Sequence, residues 1–182
     1  MEARTVDSDV ALGAETASGR TERFEAVLAA NRAALGRLAA SYATSPADRD
    51  DLLQEIAMGL WLALPGFRGE CSERTFLFRI AHNRCISHLA RRRPQYSLDE
   101  MELEPEDPSA PPESAVSHEQ QSDRLQHAVR SLPIGYRQVI VLLLEDLDYR
   151  QIAQILGISE TNVGARLTRA RALLRTALGE GQ

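Results

Sequence analysis

The chain has 182 residues, 43% hydrophobic and 26% charged, with 21 basic against 26 acidic side chains and a formal net charge of −5. These are ordinary values for a soluble globular protein; no apolar run reaches the roughly 18 residues of a membrane span, and the two cysteines, Cys71 and Cys85, make no disulfide framework. All 21 basic residues are arginine, which GC-rich coding explains as readily as a chemical demand for the guanidinium fork does.

Residues 1–22 hold two arginines, five acids and few large apolar side chains, and read as a mobile leader. They lack the basic start and apolar stretch of a secretory signal, so a cytoplasmic protein without membrane insertion is expected. Residues 23–93 are mildly basic, with 11 arginines and seven acids. Phe24, Val27, Leu28, Leu35 and Leu38 recur at helical intervals over 24–43. Asp48 or Asp50 caps a second helix that carries Leu53, Ile56, Leu60 and Leu64 on one face and ends at Pro65-Gly66. After the loop PGFRGECSER, Ser72 or Thr75 starts a third helix that runs to about Arg93 and stops at Pro94. On its wheel Leu77, Phe78, Ile80, Ala81, Cys85 and Leu89 form the apolar side. Arg79, His82, Asn83 and Ser87 form the polar one, with Phe76 among them. A ring beside Arg and Asn suits base stacking, and Arg91-Arg92-Arg93 suits phosphate. A solvated face with Phe76 tucked under the loop fits the same pattern.

Residues 94–122 carry eight acids, no basic residue and five prolines. They form a flexible acidic linker, either a plain spacer or a mimic of a nucleic-acid strand. In 123–178, Pro133 opens a helix through Leu144. Then Tyr149–Leu156, the turn Gly157-Ile158-Ser159, and a longer helix from Glu160 have the spacing of a helix-turn-helix. Its second helix buries Val163, Leu167, Ala170 and Leu174 and turns Thr161, Asn162, Ala165 and Arg169 outward, with Arg166 beside them. That set suits a major groove, and a helical hairpin docked on another protein is the alternative. With no period-two alternation, the expected fold is all-α: two small helical domains, a linker between them, and a short tail at 179–182. No glycine-rich phosphate loop, HExxH or GxSxG occurs, so no enzyme, metal or cofactor is expected. His82, Cys85 and His88 follow H-x2-C-x2-H, but the first and last diverge around the helix and no fourth ligand is evident.

Two stretches carry a resemblance. DRDDLLQEIAMGLWLALPGFRGECSERTFLFRIAHNRCISHLARRR resembles the promoter-melting domain of bacterial RNA polymerase sigma factors. SLPIGYRQVIVLLLEDLDYRQIAQILGISETNVGARLTRARALLR resembles their C-terminal helix-turn-helix domain. The order and linker length match the small extracytoplasmic-function branch. The resemblance implies an alternative sigma factor that brings core RNA polymerase to chosen promoters and leaves the chemistry to the polymerase. It implies that Asp51, Leu52, Gln54 and Glu55 dock on the clamp helices of the largest subunit. It assigns the unstacked minus-ten strand to Phe67, Arg68, Arg74, Phe76, Arg79, Asn83, Arg91 and Arg92. It assigns the minus-thirty-five duplex to Thr161, Asn162, Ala165, Arg166 and Arg169, with that module resting on the polymerase flap. An anti-sigma partner is also implied. Departures from the family pattern are Phe76 in place of the usual Trp, Ser87 where Asp is frequent, and Thr161-Asn162-Val163-Gly164-Ala165-Arg166 in place of Gly-Thr-Val-Lys-Ser-Arg. The competing reading is a stand-alone DNA-binding regulator whose first module is a sensor.

Overall fold

The computed structural model describes residues 17–92 and 118–179. Among them there are seven α-helices, one short 3-10 turn and no strand. The N-terminal module comprises α1 (Ala17–Ala40), α2 (Pro46–Ala63), the 3-10 turn Leu64–Gly66 and α3 (Glu73–Arg92). The C-terminal module comprises α4 (His118–Ser131), α5 (Ile134–Leu143), α6 (Tyr149–Leu156) and α7 (Glu160–Leu178).

Three boundaries differ from expectation. First, α1 begins at Ala17, inside the segment read as a leader, because Arg20 finds a partner. Its guanidinium lies 4.1 Å from the Trp61 ring centroid and donates to the Trp61 carbonyl at 2.6 Å. Phe24 meets the same indole edge-on at 5.1 Å. Second, α2 is capped by Ser45 with Pro46 in the first turn, not by Asp48 or Asp50; Ser45 Oγ accepts from the Asp48 amide at 3.1 Å. Third, α4 starts at His118, so the last residues assigned to the linker are helical. The rest of the acidic linker and most of the leader lie outside the described residues. α4 and the residue that follows it add an apolar stripe absent from the sequence reading, with Ala128, Val129 and Leu132 buried. Ser72 does start α3, accepting from the Thr75 amide at 3.0 Å.

Close approach of α2 to α3 depends on Gly59. A Cβ there would meet Arg84 Nε at 2.7 Å and Ile80 Cγ2 at 3.1 Å. Leu52, Ile56, Leu60 and Leu64 from α2 and its following turn, and Leu77, Phe78, Ala81 and Cys85 from α3, bury against one another and α1. In the C-terminal module Val139 and Leu142 of α5, Ile152 of α6, and Val163, Leu167 and Ala170 of α7 make the core. The two cores are continuous, because α3 packs on α6.

Polar contacts reinforce that junction. Arg37 of α1 donates from Nε and Nη2 to the Glu145 carboxylate at 2.8 and 2.6 Å. Arg74 donates to Asn31 Oδ1 at 3.0 Å and to the Glu145 carbonyl at 2.7 Å. Arg130 donates to the Ala40 carbonyl at the C-terminus of α1 at 2.9 Å, where the helix dipole favours a cation. Gln151 reaches Thr75 Oγ1 at 3.2 Å.

Candidate polymerase and nucleic-acid interfaces

Asp51, Gln54, Met58 and Leu62 share the outer side of α2 and are exposed, with Glu55 beside them and partly covered. Met58 and Leu62 remain 64% and 66% exposed, the largest values among the big apolar side chains of the described residues. The stripe thus begins acidic and ends apolar, which fits a basic partner with a hydrophobic edge. Leu52 is fully buried in the core, so it holds the helix in place and does not face a partner. This corrects its assignment to the docking set. Met58 and Leu62 were missed; two large apolar side chains seven and eleven positions after Asp51, on the polar side of the wheel, were the available signal. Glu55 accepts from Arg91 Nη2 at 2.5 Å to both carboxylate oxygens, so Arg91 in the free chain is directed at α2. Beneath them Asp48 ties the start of α2 to the end of α3. Its carboxylate accepts from the Thr44 amide at 2.7 Å and lies 2.8 Å from His88 Nε2.

The second surface is the loop before α3 together with that helix. Phe67 stacks on Phe76 at 4.6 Å with a 34° tilt. Arg23 lies over Phe67 at 5.6 Å and Arg79 over Phe76 at 5.5 Å. Phe76 is only 8% exposed, so it supports Phe67 and Arg79 from below and presents no open stacking face. His82 is also buried, contrary to its place on the polar side of the wheel. The reason is shared: α3 packs against α1, α2 and α6, and three neighbours leave it only a narrow exposed strip. That strip carries Asn83 and Ser87, with Arg79 half-exposed, and Arg68 projects from the loop. Gly69 permits the loop's turn at φ 76°, a left-handed conformation costly to other residues. Arg74 does not join this surface; it is drawn into the junction with the C-terminal module. The Arg92 side chain and the end of the arginine triplet lie outside the described residues.

The helix-turn-helix is built as the spacing predicts. Asp148 and Gln151 form a reciprocal capping box on α6. Gly157 closes α6 at φ 66°, and Ser159 caps α7 by accepting from the Asn162 amide at 3.2 Å. Thr161, Asn162, Ala165 and Arg169 are exposed on one side of α7. Arg166 is half-buried and donates from Nε to Asn162 Oδ1 at 2.9 Å, so those two side chains are pre-ordered as a pair. A Cβ at Gly164 would sit 3.6 Å from the Tyr149 ring, an ordinary contact. Gly164→Ala should therefore stabilise the protein by about 0.5–1 kcal/mol through helix propensity, measured as a rise in the denaturant midpoint at constant slope.

The H-x2-C-x2-H spacing does not converge on a metal. Among the described residues no group of three or more His, Cys, Asp or Glu side chains is placed to hold one. His88 turns to Asp48, while Cys85 is sealed in the core, where burial pushes its thiol pKa up. Among the described residues, no helix is long and apolar enough to cross a membrane.

Comparison with known proteins agrees with this layout. Residues 27–95 match the family described as Sigma-70 region 2, and residues 122–174 match Sigma-70, region 4. Over 183 aligned residues the chain is 31% identical to the RNA polymerase sigma factor CnrH of Cupriavidus metallidurans, spanning 94% of this chain and 95% of that protein. It is 28% identical to the ECF RNA polymerase sigma factor SigM of Mycobacterium tuberculosis, spanning 94% and 85%. Among solved structures, CnrH in complex with the cytosolic domain of CnrY superposes with a TM-score of 0.67 at 26% identity, covering 91% of this chain and 93% of that one.

Proposed function

Since the chain belongs to the RNA polymerase sigma factors, in their extracytoplasmic-function branch of alternative factors that direct promoter-specific initiation, we propose a division of labour among its three exposed surfaces. The α2 stripe of Asp51, Gln54, Glu55, Met58 and Leu62 docks on the clamp helices of core polymerase. The strip of Arg68, Phe67, Arg79 and Asn83 holds the opened minus-ten strand, with Phe76 as its floor. Thr161, Asn162, Ala165, Arg166 and Arg169 read the minus-thirty-five duplex from the major groove while their module rests on the flap. The protein acts in the cytoplasm, has no catalytic group of its own, and is held by an anti-sigma partner, a reading that the CnrH–CnrY complex supports.

The observation that carries this reading is the separation of two polar surfaces of different character. The α3 strip offers an aromatic edge, a guanidinium and an amide, which suits unstacked bases. The α7 face offers a capped helix N-terminus followed by Asn, Ala and Arg, which suits base edges and phosphates of a duplex. Reconstitution with core polymerase and sequencing of the initiated transcripts tests the whole scheme; a shared pair of upstream elements among the start sites is expected.

Template state separates the two surfaces. Asn83→Ala should spare closed-complex binding and impair opening, whereas Arg169→Ala should weaken closed-complex binding. Each loss is about 1–3 kcal/mol, so size alone does not distinguish them. A pre-melted bubble supplies the opening energy, so Asn83→Ala should recover in part and Arg169→Ala should gain no more than wild type. Equal rescue of both would refute the division.

A further inference from the structure

Arg84 is an exposed arginine that none of the three surfaces above includes. It follows Asn83 on α3, yet its side chain leaves the strip and crosses to α2. A Cβ at Gly59 would lie 2.7 Å from Arg84 Nε and 3.3 Å from Nη2, so the guanidinium fills the space where a side chain at position 59 would stand. Gly59 itself is buried. At about 100° per residue, position 59 lies about 40° from Glu55 and about 60° from Leu62, on the edge of the α2 stripe that faces α3. An α3 residue thus supplies a cation to a stripe whose own members are Asp51, Gln54, Glu55, Met58 and Leu62.

We propose that Arg84 belongs to the polymerase-docking surface, where its guanidinium takes a carboxylate of the core enzyme. This rests on the docking role proposed above for α2. The guanidinium has no claimant in this chain: it makes no hydrogen bond, ion pair or ring contact with a described residue. Glu55, one turn before Gly59, is already taken by Arg91 at 2.5 Å and lies 4.0 Å from His88 Nδ1. Lying against the Gly59 backbone restricts the long side chain, so less freedom is lost when a planar carboxylate meets the fork. On the α3 wheel Arg84 is about 60° from Ser87 and about 100° from Asn83, on the side toward α2, which favours a protein carboxylate over a phosphate of the opened strand. The placement also gives the docking surface a direction. Asp51 and position 59 are roughly 12 Å apart along the helix at about 1.5 Å per residue. The partner that fits sets a basic group opposite Asp51 and an acidic one about two turns further on, and docking in the reverse sense would bring like charges together at both places.

The test uses the full chain and core polymerase, titrated without DNA at low and high salt. Arg84→Met keeps an apolar stem and removes the charge, Arg84→Lys keeps the charge and loses the fork, and Arg84→Glu reverses the charge. Because Arg84 is exposed, helical circular dichroism and thermal midpoint should stay at wild-type values in all three. Affinity at low salt should fall about threefold for Arg84→Lys, about tenfold for Arg84→Met and about a hundredfold for Arg84→Glu, and the differences should narrow at high salt. Arg84→Met and Arg84→Glu variants that bind like wild type, while Asp51→Arg does not bind, overturn the inference and leave the docking role of α2 standing. Unchanged core affinity with weakened binding of the holoenzyme to a pre-melted promoter assigns Arg84 to the nucleic-acid strand and overturns it as well. So does an equal loss in the Lys and Met variants accompanied by a lower thermal midpoint, which would make Arg84 a packing residue. Wild type that fails to bind core polymerase removes the docking role of α2, and the role of Arg84 falls with it.

Discussion

Asp51→Arg is expected to abolish co-migration with core polymerase while leaving the helical signal and thermal midpoint of the protein nearly unchanged. Asp51 is exposed on α2, beyond the first turn, and no core residue depends on it. A substitution at such a surface position typically shifts stability by less than about 0.5 kcal/mol. Against a basic partner, however, it replaces an attraction with a repulsion at the start of the proposed docking stripe. Like-charge juxtaposition across an interface costs several kcal/mol, and about 3 kcal/mol lowers affinity more than a hundredfold. The loss should soften at high salt, since the site is solvent-exposed and screened. Met58→Asp, at the apolar end of the same stripe, should weaken assembly with much less salt dependence. Normal co-migration of folded Asp51→Arg would remove α2 from the docking surface.

The second large effect is on stability in mild acid. Neither ring nitrogen of His82 has a hydrogen-bond partner in the protein, and the side chain is buried. Burial disfavours the imidazolium, the neighbouring Asn83 offsets this only in part, and the pKa falls from 6.5 to about 4. The unfolded chain therefore takes up the proton first. Stability is fully present above about pH 6.5 and is lost as pH falls toward 4, at about 1.4 kcal/mol per unit. By pH 5 that amounts to roughly 2 kcal/mol from this one group. His82→Leu should remove this component, so the difference between wild type and variant in urea midpoints at pH 7 and pH 5 isolates it from the carboxylates. A variant that loses as much stability as wild type between those pH values would place the acid sensitivity elsewhere.

How far the sequence could be read depended on how local each signal was. The boundaries of α6 and α7 emerged because caps and turn are chemical marks of single residues: Gly157 for a left-handed φ, Ser159 for an orphan amide. The misplacements on α3 have the opposite cause. A helical wheel assumes one buried side, and α3 has three packing neighbours, one of which comes from a module some thirty residues away across the linker. Nothing near His82 in the chain announces α6, whereas the packing of Phe76 against Phe67 is the alternative its place beside the loop already allowed. Arg74 and Glu145 are a further case, since a partner 71 positions distant leaves no trace in local pattern. Leu52 was assigned outward on the strength of a motif, while its helical phase with Ile56 and Leu60 already pointed inward.

The contacts that fasten α2 to α3 have a mechanical consequence. Asp48 bonds His88, Glu55 bonds Arg91, and Gly59 lets the two helix axes approach until Ile80 and Arg84 touch the backbone. These three ties are spread along α2, so the two helices form a stiff bar with the proposed docking stripe on one flank and the proposed strand-holding strip on the other. Seating one flank fixes the position and angle of the other without further ordering. The loss of freedom that would otherwise oppose capture of a flexible single strand has already been borne when the domain folded. On the proposed roles, registration of the opened strand follows from where the bar is seated, and a substitution that loosens it, such as Asp48→Ala, should blur the start-site position although Asp48 lies in neither proposed surface.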